Sequence, residues 1–298
     1  MITVTFYNVI DEMLDPYDRT LARMRGDRFE KAIAHCRERY EVVSFDEAMS
    51  RLNAGEDTSK TLNITFDDGF AGVYEVARPI LSALGLVGTV FIMTRHGDSA
   101  PPDQLMEFER LEIGLRQTSA QTLELSWLGL GRLDIDGVHA KVLGLRLIKQ
   151  KLKRLRAAAR QEALAQVLAA LRVSDEAIAL YAQNDPRFCK LSSAQVKGLL
   201  AEGWTIGGHT RTHASLRGLD GSALKDEVEG NAEDLAVGFG LLHAPFAYPY
   251  GTPGDIDQQV RNAVHAAGFS AAFTSTPGHN GHSTDLFELF RFNDVDSL

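Results

Sequence analysis

Residues 61–66, TLNITF, are mostly apolar or β-branched, and they run without a break into Asp67-Asp68-Gly69. A stretch with Val76, Ile80, Leu81 and Leu84 on one helical face follows, stopping near Gly85, and the apolar run 87–93 comes next. Strand, helix, strand in that order makes the two strands parallel, because parallel neighbours need a helix-length crossover. The rhythm begins earlier, with a predicted strand at 2–9, a helix at 28–39, a short strand at 40–45 and a helix opening at Phe45. It returns later as a helix at 192–202 closed by Gly203, a strand at 204–206 ending on Gly207-Gly208, and a long helix at 222–239. A strand at 243–247, a helix at 256–267 capped by Gly268, a strand at 270–274 and a last strand at 288–295 complete it. The pattern predicts an α/β fold with a parallel sheet.

The middle of the chain breaks this rhythm. Residues 101–185 hold few strand signals apart from 123–135, which reads as a hairpin turning near Gly129 or Gly131. From 138 to 173 apolar residues recur at helical spacing, with Leu145, Ile148, Leu152 and Leu155 in register. The expectation is one domain over 1–298 with a helical subdomain, 101–185, inserted into it.

A chain of 298 residues, 44% hydrophobic, can bury a large core. Its net charge of −9 argues against a nucleic-acid partner, which needs a positive surface. No apolar run approaches the roughly 20 residues of a membrane span, so no transmembrane segment is expected. The start, MITVTFYNVIDEM, lacks the basic and apolar regions of a signal peptide. Two distant cysteines, Cys36 and Cys189, fit no metal motif and no disulfide framework. Both features fit a cytoplasmic protein.

Three short segments could carry chemistry. Asp67 and Asp68 stand at a strand end, where two adjacent carboxylates repel unless a cation or proton lies between them; the pair could equally cap a helix. His209-Thr210-Arg211-Thr212-His213 follows a strand and two glycines. If it makes a helical turn, its two imidazoles share one face, a common start to a divalent-metal site; a polar loop is the alternative. Thr210 excludes the HExxH helix of zinc proteases. Phe246-Ala247-Tyr248-Pro249-Tyr250-Gly251 is a turn at another strand end, built from Pro and Gly or offering backbone N–H groups to a ligand.

The three segments occur in this order, each at a predicted strand end, where catalytic residues gather in barrels. TFDDG, HTRTH and FAYPYG resemble the three motifs of the polysaccharide deacetylase family, the NodB-homology group or carbohydrate esterase family 4. The resemblance extends over 71–94 and 191–216 and fails over the insert. It implies a distorted (β/α) barrel and a bound divalent metal ion, expected to be zinc. By position it makes Asp68, His209 and His213 the metal ligands and Asp67 the general base. It gives Tyr250 a catalytic place, its backbone N–H helping to hold the oxyanion, and sets Tyr248 and Pro249 beside the substrate. The implied activity is removal of N-acetyl, or O-acetyl, groups from a sugar, oligosaccharide or polysaccharide precursor, as in surface-polysaccharide synthesis. The alternatives are a carbohydrate-binding homologue without catalysis and a C–N hydrolase acting on a small amide.

The chain departs from the family pattern in two places. Many members carry an arginine that orients the base two residues before the proline of the third motif, and Ala247 stands there. The family's general acid is usually a histidine, either beside a first-strand tyrosine or late in the chain. Here the early pair is Tyr7-Asn8, and the late segment 286–295 contains Arg291 and no histidine. His279 and His282 in a nearby loop are weak substitutes. Finally, 141–160 contains eight basic residues and no acidic one, including Lys149, Lys151, Lys153, Arg154 and Arg156. Such a run reads first as a solvated helix face. Contact with an anionic glycan, a lipid-linked substrate or, more weakly, a membrane surface is the other reading.

Overall fold

The computed structural model describes residues 1–12, 15–95, 105–293 and 295. The sheet strands are β1 (Ile2–Phe6), β4 (Glu41–Val42), β5 (Thr61–Phe66), β6 (Thr89–Ile92), β9 (Thr205–Gly208), β10 (Phe246–Ala247) and β11 (Ala272–Phe273). They form one parallel sheet in the order β1-β5-β6-β9-β10-β11, with β4 paired to the start of β5. The expected last strand, 288–295, is not one. Its residues form isolated parallel bridges instead, Leu289 to Phe273 and Phe292 to Val4. Backbone bonds from Thr5 to Phe292 and from Thr274 to Leu289 carry the sheet from β11 round to β1. The result is a distorted barrel whose last place is taken by irregular chain. The expected first strand is likewise divided at Tyr7, and its second part, β2 (Asn8–Ile10), turns away to pair with β3 (Arg23–Arg25).

The period of two along the strands separates two environments. Val4, Phe6, Leu62, Ile64, Phe66, Val90, Ile92, Ile206 and Phe246 join the largest core cluster. That cluster also holds residues of α1 (Gly26–Arg39), α3 (Arg78–Ala83), α8 (Ser193–Ala201), α9 (Gly221–Phe239) and α10 (Gln258–Ala266). A smaller cluster gathers Phe91, Ala247, Phe273 and Leu289 with α2 (Phe45–Asn53). The alternate β1 and β5 positions Thr3, Thr5, Asn63 and Thr65 are polar and buried, and the Thr5 and Thr65 hydroxyls share a bond of 2.9 Å.

The segment after β6 builds α4 (Glu107–Gln117), a hairpin of β7 (Thr122–Leu125) and β8 (Gly131–Asp134), then α5 (Gly137–Leu152), α6 (Ala157–Leu171) and α7 (Asp175–Gln183). Residues 101–104 of the expected insert lie outside the described residues. The helical periodicity of 138–173 is divided between α5 and α6, with a bend at 153–156. Leu145, Ile148 and Leu152 of α5 and Leu164, Val167 and Leu171 of α6 all belong to one separate core with α4. A single helix of that length, rising about 1.5 Å per residue, would carry its second half away from so small a core. Folding back buries both faces.

Buried charges fasten this unit to the barrel. Arg23 of β3, almost fully buried, pairs with Glu112 of α4 at 2.9 Å and with Asp18 at 3.1 Å. Arg116 pairs with Glu112 and Asp15, and Asp15 pairs in turn with Arg187. Lys190, just before α8, reaches Glu109 of α4 at 3.0 Å.

Candidate active site

Strands β1, β5, β9 and β10 deliver their following residues to one cavity of about 360 Å³ at the C-terminal edge of the sheet. Tyr7, Asp67, Asp68, His209, His213 and Tyr250 all line it. Asp67 continues the β5 ladder, its N–H donating to Phe6 O. Asp68 then adopts a left-handed φ of 70° and Gly69 one of 62°, which swings the second carboxylate toward the histidines. The neighbouring carboxylates therefore serve one site from different directions.

The histidine motif is not helical. His209 extends the sheet through its N–H to Ile92 O, and a tight turn follows with left-handed φ values at Thr210 and His213. The two imidazoles still meet, their ring centres 5.0 Å apart. A β-branched residue such as Thr210 resists a positive φ. Such residues cost about 1–3 kcal/mol each and persist where surrounding structure forces them. Here α9 supplies the force. Glu227 accepts from Thr212 N–H and from its hydroxyl, and Asn231 Nδ2 donates to Thr210 O. Arg211 lies flat against the same helix, paired with Asp226 and doubly with Asp234. A Cβ at Gly230 would stand 2.3 Å from the Arg211 guanidinium carbon and would displace that side chain from its place on the helix. These α9 residues were not picked out by the sequence reading, because a polar face on a long helix reads as solvent-facing.

The donors are arranged for a cation. His209 Nε2 and His213 Nε2 approach Asp68 Oδ1 at 3.4 and 3.3 Å. That oxygen is buried without a well-formed hydrogen bond, and the three ligand atoms lie within 4.8 Å of one another. His209 Nδ1 lies 2.7 Å from Ala247 O. It can only donate there, which leaves the Nε2 lone pair facing Asp68. Burial outweighs the attraction of Asp68 and holds the His213 imidazole down to about 3, so it is neutral and able to ligate. Burial opposes charge on Asp68, but the two histidines more than offset it and keep its carboxyl well below the usual range. Burial at His209 is outweighed by Asp68, which raises its pKa, so a bound cation would take the place of that proton; two imidazole nitrogens and one carboxylate, with a deprived buried oxygen among them, fit a divalent ion.

Arg291 is the functional residue that the sequence reading passed over as a missing histidine. It is fully buried, and its fork meets Asp67 with bonds of 2.7 and 2.9 Å. Its Nε donates to Thr274 O at 2.9 Å, and its guanidinium lies 5.5 Å from the Phe91 ring centre. The Ala247 side chain lies in the same barrel cluster as Phe91 and Phe273. The arginine expected on β10 is thus replaced by one arriving from the barrel-closing segment.

Other expected residues are placed differently. Tyr248 is buried in the main core with its hydroxyl donating to Phe287 O, and Pro249 is buried too. Neither lines the cavity, because the strand's alternation turns Tyr248 outward and Tyr250 in. Tyr250 has a left-handed φ of 62° and sets its ring 4.9 Å from His213. Its hydroxyl donates to Glu107, and its carbonyl accepts from Ser275. Its backbone N–H has no acceptor among the described residues. Asn8 donates to Arg187 O. His279 packs on Phe292, and His282 lies beside Gly55, ahead of β5. Neither histidine borders the cavity.

The basic run also departs from its solvated-face reading. Lys149 and Lys153, one helical turn apart, line the cavity with Phe108 and Glu109 of α4. The inserted helices are therefore one wall of the site.

A family model for polysaccharide deacetylases matches residues 158–272, taking in both histidines and the Tyr250 turn. Over that stretch the chain is similar to the polysaccharide deacetylase family. The matched stretch leaves out Asp67 and Asp68, which the fold brings to the same cavity. Solved deacetylases share that fold. A polysaccharide deacetylase from Bacillus cereus has a TM-score of 0.56 at 15% identity, over 98% of this chain and 64% of that one. The chain therefore spans just under two thirds of the Bacillus cereus protein. The Streptococcus pyogenes deacetylase PplD, in complex with acetate, gives 0.59 at 14% identity, over 99% and 92% of the two chains. IcaB from Ammonifex degensii gives 0.61 at 16%, over 98% and 91%. At these identities the likeness is one of fold. A search of curated proteins found no significant match.

Proposed function

We propose that the protein is a metal-dependent deacetylase that hydrolyses the N-acetyl group of a sugar residue in a glycan or glycan precursor. The observation that carries this reading is the buried Asp68–His209–His213 donor set beside an Asp67 that Arg291 holds in both oxygens. A divalent ion bound by the three donors would polarise the acetyl carbonyl and acidify a water; zinc suits two imidazoles and a carboxylate.

The chain's own residues supply the rest. Asp67 takes the proton of the attacking water. Arg291 fixes both oxygens of that base and keeps it from turning toward the metal ligands. The unpaired Tyr250 N–H is free to donate to the oxyanion as it forms. Cleavage releases acetate and an amine that needs a proton. The proton held by Asp67 can be returned to it, which removes the need for a separate histidine.

The test combines metal analysis with acetate release from N-acetylated oligosaccharides. Wild type should retain a stoichiometric divalent ion and lose activity to a chelator, with recovery on adding zinc. His209→Ala should lose both metal and activity. Equal metal content in the two proteins, or turnover indifferent to chelation, would overturn the reading.

A further inference from the structure

Lys149 and Lys153 are held together at the cavity, where carboxylates such as Asp68 and Asp255 act on them only from beyond ion-pair distance. Their ammonium groups lie 5.3 and 5.9 Å from the centre of the same ring, Phe108, and Lys153 also lies 5.7 Å from that of Tyr250. Lys149 donates to the neutral Thr20 carbonyl at 2.9 Å. Neither lysine has a carboxylate within ion-pair distance among the described residues. Elsewhere the insert pairs its buried cations carefully, Arg160 with Glu107 and Arg116 with Glu112. Like charges one helical turn apart destabilise a helix. Burial, and then the charge on Lys153, pull the Lys149 ammonium down to about 8.

The surroundings extend the same charge. A second cleft of about 560 Å³ shares Lys153, Tyr250 and Thr252 with the metal cavity, and Arg154 and Arg156 line it. Neither arginine has an ion-pair partner among the described residues. The acids on that wall are engaged. Asp255 accepts from Thr252, and Asp257 caps α10 and lies 3.8 Å from Arg217. In a chain of net charge −9, four cations without a direct ion-pair partner among the described residues, set along two adjoining clefts, are a local concentration of positive charge.

We propose that Lys149 and Lys153 form an oxyanion subsite, so that the substrate is an acetylated sugar bearing a phosphate or carboxylate beside the reacting residue. The inference rests on the deacetylase reading of the same cavity. A lysine ammonium binds an oxyanion as a compact point charge, and two of them from one helix face suit a group with several equivalent oxygens. Binding would relieve the repulsion that the empty pair sustains. Arg154 and Arg156 would then line the path of the next charged unit.

The experiment compares matched sugars: N-acetylglucosamine, its glycosyl phosphate, and N-acetylmuramic acid as the carboxylate. Wild type should show a higher kcat/KM for one or both anionic sugars, falling as salt rises. Lys149→Gln and Lys153→Gln should each cut the anionic-to-neutral ratio by on the order of ten-fold, the scale of one charged hydrogen bond. Lys153 is the safer substitution, since its side chain is at the cavity rim. The phosphate and carboxylate arms distinguish the two sources of the oxyanion. A second measurement is independent of turnover: calorimetric binding of glucosaminyl phosphate and of glucosamine to wild type and to both variants. Lysine-dependent binding of the phosphate without turnover of any acetylated sugar would leave the subsite standing and remove the deacetylase reading. Turnover with an unchanged ratio in both variants would overturn the subsite. A kcat loss equal on all sugars in Lys149→Gln would also overturn it, since that amine would then serve the departing nitrogen.

Discussion

Asp67 and Arg291 are separated by 224 positions and meet with two bonds from a planar fork. If Asp67 is the base, as proposed, the geometry gives the arginine the task of orienting it. Asp67→Asn should retain metal and fold but lose roughly 100-fold or more in kcat, the scale of a positioned base. Arg291→Lys keeps the charge and loses the fork. It should lower kcat with little change in KM, and metal content should stay at the wild-type level by elemental analysis. Equal rates in wild type and Arg291→Lys would mean that Asp67 is held by the strand alone. The grouping of Asp68, His209 and His213, which we propose as ligands, was legible from the sequence because they sit in short motifs of unusual composition. Arg291 was not, because a lone arginine in an irregular segment carries no local pattern. The left-handed Asp68, Thr210, His213 and Tyr250 were equally hidden, since none is glycine.

At the scale of elements, α9 and α4 support the site in different ways. The polar face of α9 holds the histidine turn in its strained shape. Glu227→Ala removes both bonds to Thr212 and should weaken zinc affinity by about 10-fold or more, as outer-sphere changes do. Competition with a chromophoric chelator would measure it, and an unchanged affinity would show that the turn stands without the helix. In α4, Glu112 is fully buried between Arg23 and Arg116. Glu112→Gln leaves Arg23 with Asp18 alone and Arg116 with Asp15 alone, and should cost on the order of 3 kcal/mol in urea denaturation. Asp15 belongs to the same network. Burial opposes its ionisation, yet Arg116 and Arg187 hold its carboxyl well below the ordinary value. Its contribution is therefore present above the usual carboxylate range and is lost as pH falls toward the lowered folded value. Asp15→Asn should flatten the acid limb of a stability profile, with little change in slope near neutrality. The strand–helix rhythm of the barrel was legible because each element has its own period. The α5–α6 bend was not, because periodicity reports a helical face and not the size of the core that must receive it.

On the scale of the whole molecule, the cavity is shared between two hydrophobic cores. The barrel supplies Asp67, Asp68, His209 and His213, and the insert supplies a wall bearing Lys149 and Lys153. Its charge is local, so the molecule can be acidic overall and still attract an anion at one point. The barrel itself is completed by residues 289–292, which bridge β11 to β1 and carry Arg291 inward. That closure gives the molecule an order of assembly. Contacts this distant in sequence form after the local helices and neighbouring strands, because their loop-closure cost is met last. A refolding chain should therefore recover its helical circular dichroism, and its ability to bind zinc, before it recovers turnover.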